Sequence, residues 1–209
     1  MNTLLAQEIT SHIAGQAFYI TGDLHYKREN YSDAVDNLTR SLDASSDEEI
    51  LGDSHFLIGE SYFQLEDFEK AAEHYDQVAD LDVPILKEFD ARMQQAEAHI
   101  RLENFSDAEN IYKMMLRDIR FKKYFSTIET HLANLSEIQE EIDFARDSYY
   151  EVIKKYKNEE GVSLSAYYLA LLFEFHYSDM DSASLYYGKV RNLKLHEDIE
   201  SEANCVQLF

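Results

Sequence analysis

Apolar and polar positions along the chain recur with a period close to 37 residues. Ala34, Ala71, Ala108 and Ala145 stand 37 apart, and Ala183 follows after 38. Three residues before each alanine sits a large apolar residue: Tyr31, Phe68, Phe105, Ile142 and Met180. Four residues after each sits another: Leu38, Tyr75, Tyr112, Tyr149 and Tyr187. Spacings of i, i+3 and i+7 trace one stripe of an α-helix. A second column of small residues, Gly22, Gly59, Ala96, Ala133 and Ala170, lies twelve residues upstream of the first four alanines and thirteen upstream of Ala183. Each period therefore predicts two helices joined by a short polar turn, such as Glu66-Asp67-Phe68-Glu69. Small residues mark where helices cross closely. Such pairs complete their cores only by stacking on neighbouring pairs.

The segment Leu57-Ile58-Gly59-Glu60-Ser61-Tyr62, followed by Asp67-Phe68-Glu69-Lys70-Ala71-Ala72 and Tyr75, resembles the tetratricopeptide repeat family. The resemblance extends over residues 15–195 as five repeats and implies a right-handed all-α solenoid of antiparallel helix pairs. Phe18 and His55 stand where that family often has tryptophan, and the closing proline occurs once, as Pro84. The 37-residue spacing exceeds the usual 34, so helices or turns are longer. The phrase Ala166-Tyr167-Tyr168-Leu169-Ala170 resembles repeats common in bacterial proteins. Residues 1–14, with Leu4, Leu5, Ile9 and Ile13, extend the first helix. Residues 196–209 read as a closing helix or the start of a sixth repeat, and the apolar end at Leu208 and Phe209 offers a surface for self-association.

Composition narrows the function. The 209 residues carry 19 Lys+Arg and 41 Asp+Glu, a formal charge of −22, which excludes a generic nucleic-acid binder. No apolar run is long enough to span a membrane. The start lacks the basic region of a secretory signal, so the chain as given is expected in the cytoplasm, or in the periplasm if a leader was removed. Fifteen tyrosines and twelve phenylalanines with 45% hydrophobic residues point to a packed core. The single cysteine, Cys205, excludes an internal disulfide and a cysteine zinc site.

No phosphate loop, zinc-protease motif or nucleophile elbow is present, so no enzyme, cofactor or metal is expected. His25 and His99 share one repeat column but lie two repeats apart. The run Asp47-Glu48-Glu49 reads as a helix N-terminus rather than a calcium loop.

The resemblance implies that first helices line a concave groove for partner peptides. The residue after each small position is Asp23, Glu60, Glu97, Asn134 and Leu171; four residues earlier stand Tyr19, Phe56, Met93, Thr130 and Tyr167. Positions i and i+4 share a face. With Asp53 and Asp90 they predict an acidic ladder beside an apolar one in the first three units, turning neutral and aromatic in the last two. A protein or peptide with basic and apolar residues would fit it. The alternative is that these carboxylates are solvated while Tyr19, Phe56 and Tyr167 pack between helices. A contrary basic patch, Lys113, Arg117, Arg120, Lys122, Lys123 and then Lys154, Lys155, Lys157, matches cations at helix C-termini, or an edge site for an acidic partner. Residues 1–104 carry −15 of the charge and 105–209 carry −7.

Overall fold

The computed structural model describes residues 2–157 and 160–192. Among them are ten α-helices and no strand: α1 (Asn2–Lys27), α2 (Tyr31–Ala44), α3 (Glu48–Gln64), α4 (Phe68–Ala79), α5 (Ile85–Arg101), α6 (Phe105–Arg117), α7 (Phe125–Ile138), α8 (Ile142–Lys155), α9 (Glu160–Phe175) and α10 (Met180–Asn192). The all-α class of stacked helix pairs expected from the 37-residue pattern is the class observed. α1 runs without a break from Asn2 to Lys27, through the stretch expected to extend the first helix. The expectations for residues 196–209, Cys205 and the apolar end lie outside the described residues.

Five turns between paired helices each hold one residue at positive φ; the first four share one geometry and the fifth is a residue longer. Glu29, Glu66, Glu103, Glu140 and Ser178 have φ of 62°, 60°, 59°, 63° and 52°. The first four are 37 residues apart, as the alanines are. Each follows a helix end closed by a bond from the next residue: Asn30 N–H donates to His25 O (3.0 Å), Asp67 to Tyr62 (2.9 Å), Asn104 to His99 (2.8 Å) and Glu141 to Ser136 (2.9 Å), while Asp179 reaches one residue further back, to Phe173 (2.8 Å). A side chain in the left-handed region costs on the order of 1 kcal/mol; the capped carbonyls of the preceding helix offset it. Asp47 caps α3 by accepting from Glu49 N–H at 3.0 Å, as its acidic run predicts.

The chain divides into two compact units at Ile111 and Tyr112, within α6. In the first unit α1 packs on α2, α2 on α3, α3 on α4 and α4 on α5, and first helices stack directly as α1 on α3. In the second, α7 packs on α8, α8 on α9 and α9 on α10, with α7 directly on α9. A 3-10 turn, Ile119–Tyr124, precedes α7 and anchors itself by the buried Phe121.

The repeated columns form the core. Ala34, Ala71, Ala108, Ala145 and Ala183 are buried, as are Leu38, Tyr75, Tyr112 and Tyr149. The fifth unit departs: Met180 is 61% exposed. The small column is set by the residue that faces it within the same hairpin. A Cβ on Gly22 would lie 2.5 Å from the Leu38 side chain, and one on Gly59 would lie 2.7 Å from the Tyr75 ring. The large residue four past the alanine, Leu38 in the first pair and Tyr75 in the second, thus fills space inside its own pair. Where first helices stack in the second unit, the approach is closer still. A Cβ on Gly161 would sit 2.1 Å from the carbonyl carbon of Ser126. Thr130 Oγ1 donates to Gly161 O at 2.9 Å and meets Ser165 Oγ at 2.7 Å, so the buried hydroxyls of this crossing are bonded.

Candidate functional site

In the first unit the predicted groove residues lie on α1, α3 and α5, the three first helices. Tyr19 is half-buried against Ala34, Leu38 and Ile58. Burial pushes its phenol up to about 12, helped by the charges of Asp53 and Asp23 and by a hydrogen bond to Asp53. Asp53 also pairs with Lys87 of α5. Tyr19, Asp53 and Lys87 therefore tie three successive first helices together, each 34 residues from the next. Asp23 pairs with Lys27 one turn along α1 at 2.7 Å.

Phe56 packs on Ala71, Ala72, Tyr75 and Ala98, edge-on to the Tyr75 ring at 5.7 Å. Glu60 accepts from the phenols of Tyr75 (2.6 Å) and Tyr26 (3.3 Å). Both phenols are held un-ionised, first by burial and then by the Glu60 charge; Tyr26 is pushed up to about 12 and Tyr75 well above its ordinary value. Glu97 lies 3.9 Å from Arg101, and burial raises its carboxyl above the usual range despite that charge. Met93 and Asp90 are half-buried on α5. Of the carboxylates expected in the acidic ladder, Asp23, Asp53 and Glu60 already hold internal donors. Asp23 and Asp53 hold lysines, while Glu60 holds phenols and serves as a cross-tie between helices.

Tyr167 and Leu171 lie on α9 in the second unit, both half-buried. The Tyr167 ring stands 6.0 Å from Tyr168 and 6.3 Å from Tyr187. The expected loss of acid from this unit is a relocation. Asn134 and Leu171 occupy the position of Glu60, but Tyr149 donates to Glu137 at 2.9 Å and Tyr187 to Glu174 at 2.7 Å. Both glutamates sit one helical turn further on. Burial raises Glu137 above the usual carboxylate range even though the Tyr149 bond opposes it.

Other predicted features find structural roles. Lys154 pairs with Glu151 and Lys155 with Glu129, which also accepts from the Tyr156 phenol. Arg117, Lys122 and Lys123 lie around the 3-10 turn, and Arg120 pairs with Asp118. His25 and His99 stay in separate hairpins, each with a buried Nδ1 that has no hydrogen-bond partner. The histidines that do meet are His55 and His74, whose Nδ1 atoms are 3.0 Å apart. Among the described residues no three His, Cys, Asp or Glu side chains converge as metal ligands would. No described helix is long and apolar enough to cross a membrane.

Residues 56–120 match the tetratricopeptide repeat pattern. No curated protein matches the chain. Among solved structures it is similar to MamA (residues 41 to the end) from Desulfovibrio magneticus RS-1, with 12% identity over 87% of this chain and 95% of that one, TM-score 0.61. It is also similar to TTC0263, a thermophilic TPR protein in Thermus thermophilus, with 17% identity over 94% and 100% of the two chains, TM-score 0.58. A third likeness is to the Rap conjugation gene regulator of plasmid pLS20, solved in complex with the Phr* peptide. Identity is 14% over 82% of this chain and 50% of that regulator, TM-score 0.60. At such identities the shared property is the fold.

Proposed function

The chain belongs to the tetratricopeptide repeat family, and from that premise we propose that it is a non-catalytic interaction scaffold. It takes a basic, partly apolar peptide or protein segment on the first-helix face of its first unit. One observation carries this reading: Asp23 and Asp53 are part-exposed beside the half-buried Tyr19 ring, Asp23 paired with the exposed Lys27 and Asp53 with the part-buried Lys87. A surface ion pair such as Asp23–Lys27 contributes about 0–1 kcal/mol. A partner's Lys or Arg can therefore replace Lys27 at Asp23 with little loss and share Asp53 with Lys87, while its apolar residues meet Tyr19, Phe56 and Met93. Charge of this sort speeds encounter and rejects acidic partners; the rings supply the affinity. Glu60, bonded to Tyr75 and Tyr26, holds the face in shape. Tyr167 and Leu171 offer a neutral aromatic seat of their own in the second unit. A bound peptide in the Rap regulator is consistent with this use of the fold.

The test is a peptide array pairing Lys or Arg with Leu or Phe at varied spacing, set against the same peptides carrying Glu for Lys. Asp23→Asn with Asp53→Asn should weaken the basic binders about tenfold and flatten their salt dependence, with the helical spectrum kept. Equal binding by the double variant, or no preference for basic over acidic peptides, overturns the proposal.

A further inference from the structure

The first helix carries a second apolar face that no other described element covers. Ile13, Ala17, Ile20 and Leu24 follow i, i+4, i+7 and i+11, one stripe of α1 about 16 Å long. All four are exposed, Ile13 by 60%, Ile20 by 58% and Leu24 by 45%. The opposite side of the same helix holds Gly15 and Gly22, which press on Ser45 and Leu38 of the α2 hairpin. So α1 is apolar on both sides, the pattern of a helix with neighbours on both.

The repeat register says what kind of contact the stripe is built for. Ala17 shares its column with Ser54, Ala91, Ile128 and Ser165, and Leu24 with Ser61, Ala98, Leu135 and Leu172. All eight counterparts are buried. Ala17 and Leu24 thus occupy positions that every later unit encloses.

Charge selects the occupant. In a chain of −22, residues 1–28 carry two acids, Glu8 and Asp23, and two bases, Lys27 and Arg28. This stretch is neutral where most of the first unit is strongly acidic. Copies of the chain repel one another elsewhere, but at α1 they meet without opposing charge. A neutral apolar stripe is complementary to itself, which is what a two-fold contact requires. We propose that two copies dimerise through α1, the Ile13–Ala17–Ile20–Leu24 stripes packing antiparallel with the small Ala17 near the crossing point. This surface is separate from the acidic face and does not depend on it.

Sedimentation equilibrium of residues 1–209, from about 1 to 100 μM, tests it in roughly 0.15 M and 1 M NaCl. A dimer of twice 24.4 kDa that persists at high salt is expected, since apolar contacts are not screened. Ile20→Asp with Leu24→Asp should raise the dissociation midpoint at least tenfold and leave the circular dichroism unchanged, because both positions are exposed. Ala17→Cys in a Cys205→Ser background should form a disulfide dimer on mild oxidation. A monomer at every concentration overturns the proposal. So does a dimer indifferent to the aspartates and uncrosslinked at residue 17, or growth beyond two copies.

Discussion

The hairpins α3–α4 and α7–α8 solve one problem differently. Each buries a tyrosine from its second helix, Tyr75 or Tyr149, and each must give the phenol an acceptor. In α3–α4 the acceptor is Glu60, one residue past the small Gly59, and Glu60 takes a second phenol from Tyr26. In α7–α8 it is Glu137, one turn further along, and burial raises its carboxyl. The function of the cross-tie is kept while its residue moves. A repeat column is therefore a set of contacts, and any residue on the right turn can satisfy it. The move also changes the surface: the face that is acidic at Glu60 is neutral at Asn134.

The largest expected effect breaks the comparison at the small positions. Gly161→Ala forces a side chain into backbone and should destabilise the second unit by about 3 kcal/mol, at the upper end of overpacking costs. Gly59→Ala should cost less, about 1–2 kcal/mol, because the added Cβ meets a side chain, the Tyr75 ring, rather than backbone, and Ala133 stands at the equivalent place opposite Tyr149. Gly188→Ala, with nothing within 4 Å of its Cβ, should be neutral or stabilise slightly. Urea unfolding of the three variants separates these outcomes, and equal costs at 161 and 59 would contradict the difference in packing.

A smaller effect sharpens the cross-tie comparison. Tyr149→Phe removes the phenol bonded to Glu137 and should cost about 1–2 kcal/mol. Tyr75→Phe leaves Glu60 with Tyr26 and should cost about half as much. The same unfolding measurement reads both, and a larger loss at Tyr75 would reverse the assignment.

Acid acts on both units alike. His74 is held neutral down to about 4 by burial and by the neighbouring His55, and His131 down to about 4 by burial. The unfolded chain takes protons near 6.5. Stability from these groups is therefore full above pH 6.5 and lost as pH falls toward 4. The slope is at most about 1.4 kcal/mol per pH unit for each, less for the part-exposed His74. The raised carboxyls of Glu97 and Glu137 act in the opposite sense, taking up protons in the folded chain before the unfolded chain does as pH falls. His74→Gln and His131→Gln should each flatten the thermal-melt profile between pH 6.5 and 4; an unchanged profile would show that neither imidazole titrates there.

Much of the fold was legible because its rules are periodic. Ala71, Tyr75 and Gly59 announce their burial by spacing alone, and Asp47 its cap by position. The groove residues were legible as a face but not as a network. That Asp53 meets Tyr19 and Lys87 depends on how first helices stack, a relation across 34 residues that no single helix pattern contains. Glu137 and Glu174 escaped because they stand one turn off the column occupied by Glu60. The exposed stripe at Ile20 and Leu24 was hidden because exposure depends on what stacks outside α1. The left-handed turns left a trace in the recurring pairs Glu29-Asn30, Glu66-Asp67 and Glu103-Asn104, but glutamate gives no hint of positive φ.

Those turns carry a consequence for how such a gene changes length. Because Glu29, Glu66, Glu103 and Glu140 share one backbone geometry at intervals of 37 residues, a recombination event joining any two of them deletes or duplicates whole cassettes. The spliced chain re-enters the next helix through the same turn. The Ser178 turn is out of step by a single residue because its joint is itself a residue longer, so an exchange there alters both the cassette length and the joint.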